Sequence, residues 1–140
     1  MKLSQLYGRS VDAVAAVLCH TDVDDYAAVC RSAALALRPG GQFAHVGIHP
    51  CCVGAFVDRS NRRRLITTPA YWTRERTTAG WTSSGIRARV GAVHRPLSDL
   101  INALTSAGLV IDRVEEAGDP TPDVLAISAY RSTSPDSLSR

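Results

Sequence analysis

Residues 11–48 read VDAVAAVLCHTDVDDYAAVCRSAALALRPGGQFAHVGI, and they contain one complete strand–helix–strand unit. Val11–Cys19 is a short apolar run between polar flanks. It is too brief for a helix and has the pattern of a parallel strand buried on both faces. After His20, the residues Val23, Tyr26, Cys30, Ala33, Ala34 and Leu37 recur at helical spacing. Thr21 is the expected N-cap, with Asp24 three residues on as the acidic partner of a capping box. Arg38 precedes Pro39, where a helix should stop, and Gly40-Gly41 supply the turn. Gln42–Ile48 then alternates as a second strand. A helix of about four turns between two such strands makes a βαβ unit with a right-handed crossover.

The pattern weakens over residues 49–95. Two prolines, four glycines and both tryptophans fall there without a sustained period. A loop of that length in a small domain is usually functional. Order returns at Pro96, where Leu97, Leu100, Ile101 and Leu104 share a helical face. Pro96 suits the first turn and Gly108 the position after the last. Val110–Glu116 and Asp123–Tyr130 read as strands, and the short turn between them makes them antiparallel neighbours. Residues 1–131 therefore form one α/β domain with a 49–95 insert or cap, and 132–140 form a frayed polar tail.

Composition narrows the class. The chain has 140 residues, 45% apolar and 21% charged, the profile of a globular protein with a core. The longest apolar run is far below the ~20 residues of a membrane helix, and no secretory h-region is present. The expected compartment is the cytoplasm, with four cysteines as thiols. Of sixteen basic residues fifteen are arginine, and nine lie within Arg59–Arg95, where Glu75 is the lone acid. That stretch carries +8 and the remainder −5. Two readings stand: a site for anionic ligands, or a solvated arginine-rich loop.

Taken in order, these pieces resemble the C-terminal half of a class I S-adenosylmethionine (SAM)-dependent methyltransferase of the small-molecule type. Asp12-Ala13-Val14 corresponds to the opening of that family's fourth strand, and His20-Thr21-Asp22 follows at its carboxyl end. Ala34–Gly41 (ALALRPGG) matches the family's helix-to-strand turn, and Leu97–Leu109 (LSDLINALTSAGL) its helix before the sixth strand. The resemblance covers about residues 10–130. It implies a partial Rossmann-like sheet of strands 4, 5, 6 and 7, ending in an antiparallel hairpin, with helices on the faces. It also implies SAM as cofactor and methyl transfer to a small-molecule acceptor.

One departure is large. The family holds its cofactor mainly with a glycine-rich turn and an acid in the first half of the fold, and no G-x-G occurs here. The expectation is a fragment that binds SAM weakly or not at all and is inactive alone. The alternative is a non-catalytic remnant serving as a dimeric interaction module.

Ligands of open α/β sheets bind beyond the carboxyl ends of the strands. That rule puts Cys19, His20 and Asp22 on one rim with His49, Cys51 and Cys52. By the resemblance, Cys19 and His20 face the cofactor or acceptor, and His20 is the candidate general base. A half-buried structural histidine beside a helix cap is the plainer reading. Asp22, His49, Tyr71, Trp72 and His94 are the candidate substrate pocket, although His94 could equally make a structural hydrogen bond.

The set His20, His45, His49, Cys51 and Cys52 lacks the spaced pairs of a zinc site, so no metal is expected. Cys30 is a small core residue. Arg62-Arg63-Arg64 near Tyr71, Trp72 and Trp81 could meet single-stranded nucleic acid. No binding motif accompanies them, and an ordinary lid over the acceptor is expected instead.

Without a first strand beside it, Val11–Cys19 becomes an unguarded sheet edge. The expected partners are therefore a second copy, paired edge to edge or face to face, or the missing N-terminal half.

Overall fold

The computed structural model describes residues 10–61, 64–78 and 85–133, apart from the Arg59 side chain. Arg62, Arg63, Trp81 and the tail from residue 134 onward lie outside the described residues.

Strand β1 (Val11–Val17) runs parallel to β2 (Leu37–Ile48), with helix α1 (Tyr26–Ala36) as the crossover. The last strand, β8 (Val124–Arg131), inserts antiparallel between β2 and β7 (Leu109–Ala117), giving the order β1-β2-β8-β7. The closing hairpin pairs as its short turn requires. Helix α3 (Leu97–Ser106) precedes β7 and buries Leu100, Ala103 and Leu104, the predicted face. Gly108 follows it at φ +78°, a backbone state that glycine reaches without strain.

Helix α1 starts later than the sequence suggests. Its cap is Asp25, whose Oδ1 accepts from the Ala28 N–H at 2.8 Å. Thr21 is buried in the preceding turn, and its carbonyl accepts the Val93 N–H at 2.9 Å. The cap is thus Asp25 in place of Thr21, and the Thr21–Asp24 capping box does not form. The helix has 11 residues, three turns and not four. Leu37 turns extended two residues before Pro39, as the steric rule for residues preceding proline allows.

Both long helices pack on one face of the sheet. Their side chains meet Ala16, Phe43, Leu125, Ile127 and Ala129, with Tyr26, Cys30, Ala33, Leu37, Leu104 and Leu109 completing the core. On the opposite face Ala13, Ala15, Val17, Gln42 and Ala44 are exposed. The expectation that β1 is buried on both faces is corrected here: only Ala16 of its seven residues is buried. The strand is an edge, and covering apolar neighbours exist on one side only.

Residues 49–95 are built from short pieces. A hairpin of β3 (Val57–Asn61) and β4 (Arg64–Thr67) leads to a 3₁₀ turn at Pro69–Trp72. Two-residue strands β5 (Arg76–Thr77) and β6 (Ala92–Val93) then pair around helix α2 (Ile86–Val90). Elements this short leave no period to read. Phe56, at 2% exposure, anchors the start of the insert, and Ala92 and Val93 anchor its end. Among the described residues no helix is long and apolar enough to cross a membrane.

Candidate functional site

The turn after β1 carries Cys19 and His20 to the carboxyl end of the sheet. Leu18 precedes them at φ +52°, an uncommon conformation for a branched side chain, with its N–H donating to the Val46 carbonyl at 2.7 Å. His20 is almost completely buried, at 2% exposure. Its ring meets His45 edge-on at 5.0 Å between centroids and Tyr26 at 6.2 Å. The Tyr26 hydroxyl lies 2.7 Å from His45 Nδ1. Among the described residues, His20 Nδ1 and His45 Nε2 are buried without a hydrogen-bond partner.

Burial dominates the electrostatics. It pushes His20 down to about 3, with His45 and Arg95 nearby adding to the shift, and His45 down to about 4. Both rings are therefore neutral near pH 7. A base of that strength takes a proton poorly at neutral pH, so the geometry offers His20 as a hydrogen-bonding group. Cys19 is half-buried, and burial raises its thiol.

A second cluster forms where the insert meets α3. His94 packs against Phe56 at 4.3 Å and Tyr71 at 5.2 Å, and Tyr71 meets Trp72 edge-on at 4.9 Å. The Tyr71 hydroxyl accepts from the Leu97 N–H at 3.0 Å and contacts Cys51 Sγ at 3.6 Å. Three of the predicted pocket residues, Tyr71, Trp72 and His94, are thus brought together. Trp72 remains 63% exposed, a free apolar surface beside that wall.

The other two go elsewhere. His49 accepts the Cys51 N–H on Nδ1 at 3.1 Å, so Nε2 carries the proton and donates to Glu116 of β7 at 2.5 Å. Asp22 is exposed and bound to the Arg87 guanidinium. Among the described residues no three His, Cys, Asp or Glu side chains are grouped closely enough to hold a metal ion.

Four of the nine arginines, Arg74, Arg76, Arg87 and Arg95, have partners within the fold. Arg74 grips Asp99 through two hydrogen bonds of 2.5 and 3.0 Å. Arg76 binds Asp24 at 2.9 Å, and Arg87 binds Asp22. The last two pairs fasten the insert to the acidic turn before α1, and Arg74 fastens it to α3. Arg95 goes further: it is 8% exposed and donates to the carbonyls of His20, Val23 and Asp24. Its role was missed in the sequence, although an arginine within an otherwise apolar stretch ending at a helix start was the available signal. A cavity of about 250 Å³ lies beside it, lined by Asp24, Asp25, Tyr26, Arg74 and Asp99.

A cofactor of the size of SAM needs close backbone approach, which glycines provide. Gly47, the glycine of β2 at this end, is already filled by its neighbour: a Cβ there would sit 2.5 Å from His20 Nδ1. Among the described residues of this rim, Gly47 therefore leaves no open backbone for SAM.

No family model matches the chain, and no curated protein matches it. Solved structures do. A SAM-dependent methyltransferase from Mesorhizobium loti is 27% identical with a TM-score of 0.69, over 87% of this chain and 62% of that one. A Listeria monocytogenes protein assigned to the same class is 19% identical with a TM-score of 0.66, over 88% and 62%. A Methanosarcina mazei SAM-dependent methyltransferase is 18% identical with a TM-score of 0.54, over 89% and 61%. The chain therefore has the class I methyltransferase fold, in its Rossmann-like α/β form. It spans just over 60% of the length of these neighbours.

Proposed function

We propose that this chain is the acceptor-facing part of a cytoplasmic SAM-dependent methyltransferase acting on a small molecule, inactive without further chain to complete the cofactor cleft. The 27% identity to the Mesorhizobium loti methyltransferase over 87% of this chain carries the reading. Its four free cysteines suit a reducing compartment. Tyr71, Trp72 and His94 wall the acceptor, and an aromatic wall suits a flat, largely apolar molecule. His20 and Cys19 face the reacting centre. Positioning supplies most of the rate in such a transfer, and a neutral, rigidly held imidazole positions an acceptor without titrating.

Two measurements test this. Calorimetry of the chain with SAM should give no saturable heat, because half a cleft keeps the cost of association and loses most contacts. A 1:1 isotherm at micromolar affinity would show a complete site. Joining the unmatched portion of the Mesorhizobium loti protein to this chain should restore SAM binding. A folded hybrid that binds none would instead favour the second reading, a non-catalytic interaction module. The exposed edge of β1 is the observation on that side.

A further inference from the structure

Between the first turns of α1 and α3 the insert leaves a cavity of about 250 Å³. That is below the ~300–1,000 Å³ of pockets for drug-sized ligands, so its occupant is small. Its charges are sorted by depth. Arg95 lies at the floor, 8% exposed, with its guanidinium 6.0 Å from the ring of the buried Tyr26. Toward the mouth stand Asp24, Asp25 and Asp99, whose side chains are 84%, 63% and 32% exposed.

The cation at the floor has donors to spare. A guanidinium carries five N–H groups, and Arg95 places three of them on the carbonyls of His20, Val23 and Asp24. Among the described residues no carboxylate pairs with it directly, and Asp24 and Asp25 act on it only through space. Such a buried cation favours an anionic group. The first turn of α1 lines the same cavity and, beyond the Asp25 cap, holds no acid, so its positive end adds to that preference. The mouth asks for the opposite charge. Asp24 meets Arg76 through Oδ1 alone, and Asp25 meets Arg31 only at 3.4 Å. With Arg74 and Arg95 against three carboxylates, the lining as a whole carries −1. A simple anion is repelled at the entrance, and a simple cation meets Arg95 at the end. We propose that this cavity takes a small zwitterion, a free amino acid with an apolar side chain, its carboxylate on Arg95 and its ammonium between Asp24 and Asp25. Ala27, Val93 and Ala103 give the side chain an apolar wall.

The test is an NMR titration of the isotope-labelled chain at low salt without SAM, so its outcome stands apart from the methyltransferase reading. Free leucine should shift the amide resonances of Ala27 and Ala103 saturably at millimolar concentration or below. Isocaproate lacks the amine and isoamylamine the carboxylate. Each should bind at least about tenfold more weakly, the weight of one charge-assisted contact. Ala27→Leu, which fills the cavity from α1, should abolish leucine binding with an unchanged urea midpoint. Asp25→Asn keeps a helix cap and should weaken the binding of leucine but not of isocaproate. Shifts that do not saturate with leucine overturn the proposal. So does isocaproate or isoamylamine binding as tightly as leucine, since one of the two charges is then not read. Unchanged leucine binding in Ala27→Leu would put the ligand elsewhere and also overturns it. If Ala27→Leu misfolds, Asp25→Asn decides, and an affinity for leucine equal to the wild type's overturns the site.

Discussion

The imidazole of His20 packs against the bare α-carbon of Gly47, so that a methyl group built there would come 2.5 Å from Nδ1 and 2.6 Å from Cε1. The same methyl would stand 2.9 Å from His45 Nε2. Gly47 therefore lets two buried imidazoles share the end of one strand. Gly47→Ala should push His20 out of its place and destabilise the fold by about 1–3 kcal/mol, the usual cost of overpacking. Urea denaturation measures the loss, and the shifted imidazole resonances of His20 and His45 report the displacement. An alanine tolerated with unchanged resonances would show that the ring is not held against the strand.

Acid should unfold this protein early. His20 and His45 bind protons in the unfolded chain below about 6.5 but in the fold only below about 3 and 4. Between those limits the unfolded state holds more protons, so stability falls as pH falls. Each histidine contributes a slope of about 1.4 kcal/mol per pH unit from near pH 6 down to its folded value. The Arg74 guanidinium holds Asp99 below the usual carboxylate range, which adds a loss of the same sign at lower pH. Urea midpoints at pH 7, 6 and 5 should drop progressively, and His45→Gln should flatten the dependence. A constant midpoint from pH 7 to 5 would refute the burial of these rings.

Arg95 holds the turn before α1 through three carbonyls. Arg95→Met keeps much of the side chain's bulk but orphans those acceptors, and should cost about 3 kcal/mol in urea melts. Arg95→Lys should not rescue, because one ammonium cannot reproduce the planar fork. Full recovery in the lysine variant would mean that charge alone is what the site requires.

The pairs Arg76–Asp24 and Arg87–Asp22 lie largely in solvent. Each should contribute less than about 1 kcal/mol to global stability. Their effect should appear in limited proteolysis instead. Cleavage within residues 57–90 should quicken in molar salt and in Asp22→Asn/Asp24→Asn at low salt, while the urea midpoint moves little. Equal cleavage rates under both conditions would show that the apolar anchors alone hold the insert.

Much of the architecture was legible because it is local. Pro96 and Gly108 bracket α3, and the short link after Ala117 forces an antiparallel hairpin, whereas Pro39, Gly40 and Gly41 lie within β2 at a register irregularity and not in a turn before it. The misreadings share a different origin. Thr21 looked like a cap, yet the helix begins only at Tyr26 with Asp25 as its cap, and Thr21 is buried with its carbonyl on the Val93 N–H. His49 does follow the end of β2, but its bond to Glu116, 67 positions later, could not be read from the chain. The arginines left an anion site and a solvated loop both open, and the partners of Arg74, Arg76 and Arg87, namely Asp99, Asp24 and Asp22, stand in other segments. Each partner choice is made in three dimensions, and residue types along the chain do not encode it. The His20–His45 pair was half visible: both residues were singled out, but not the Gly47 that lets them meet.

The bond from the Val93 N–H to the Thr21 carbonyl closes the neck of the insert, with Phe56 and Tyr71 packed together on its entering side. Beyond that neck β3 and β4 pair with each other, not with the four-stranded sheet. The entropy of closing such a loop grows only with the logarithm of its length, about 0.6 kcal/mol for each doubling. Residues 57–90 can therefore be lengthened, shortened or exchanged in evolution as a cassette, and the rest of the fold registers the swap at the neck and through Tyr71, Arg74, Arg76 and Arg87, whose partners lie outside it.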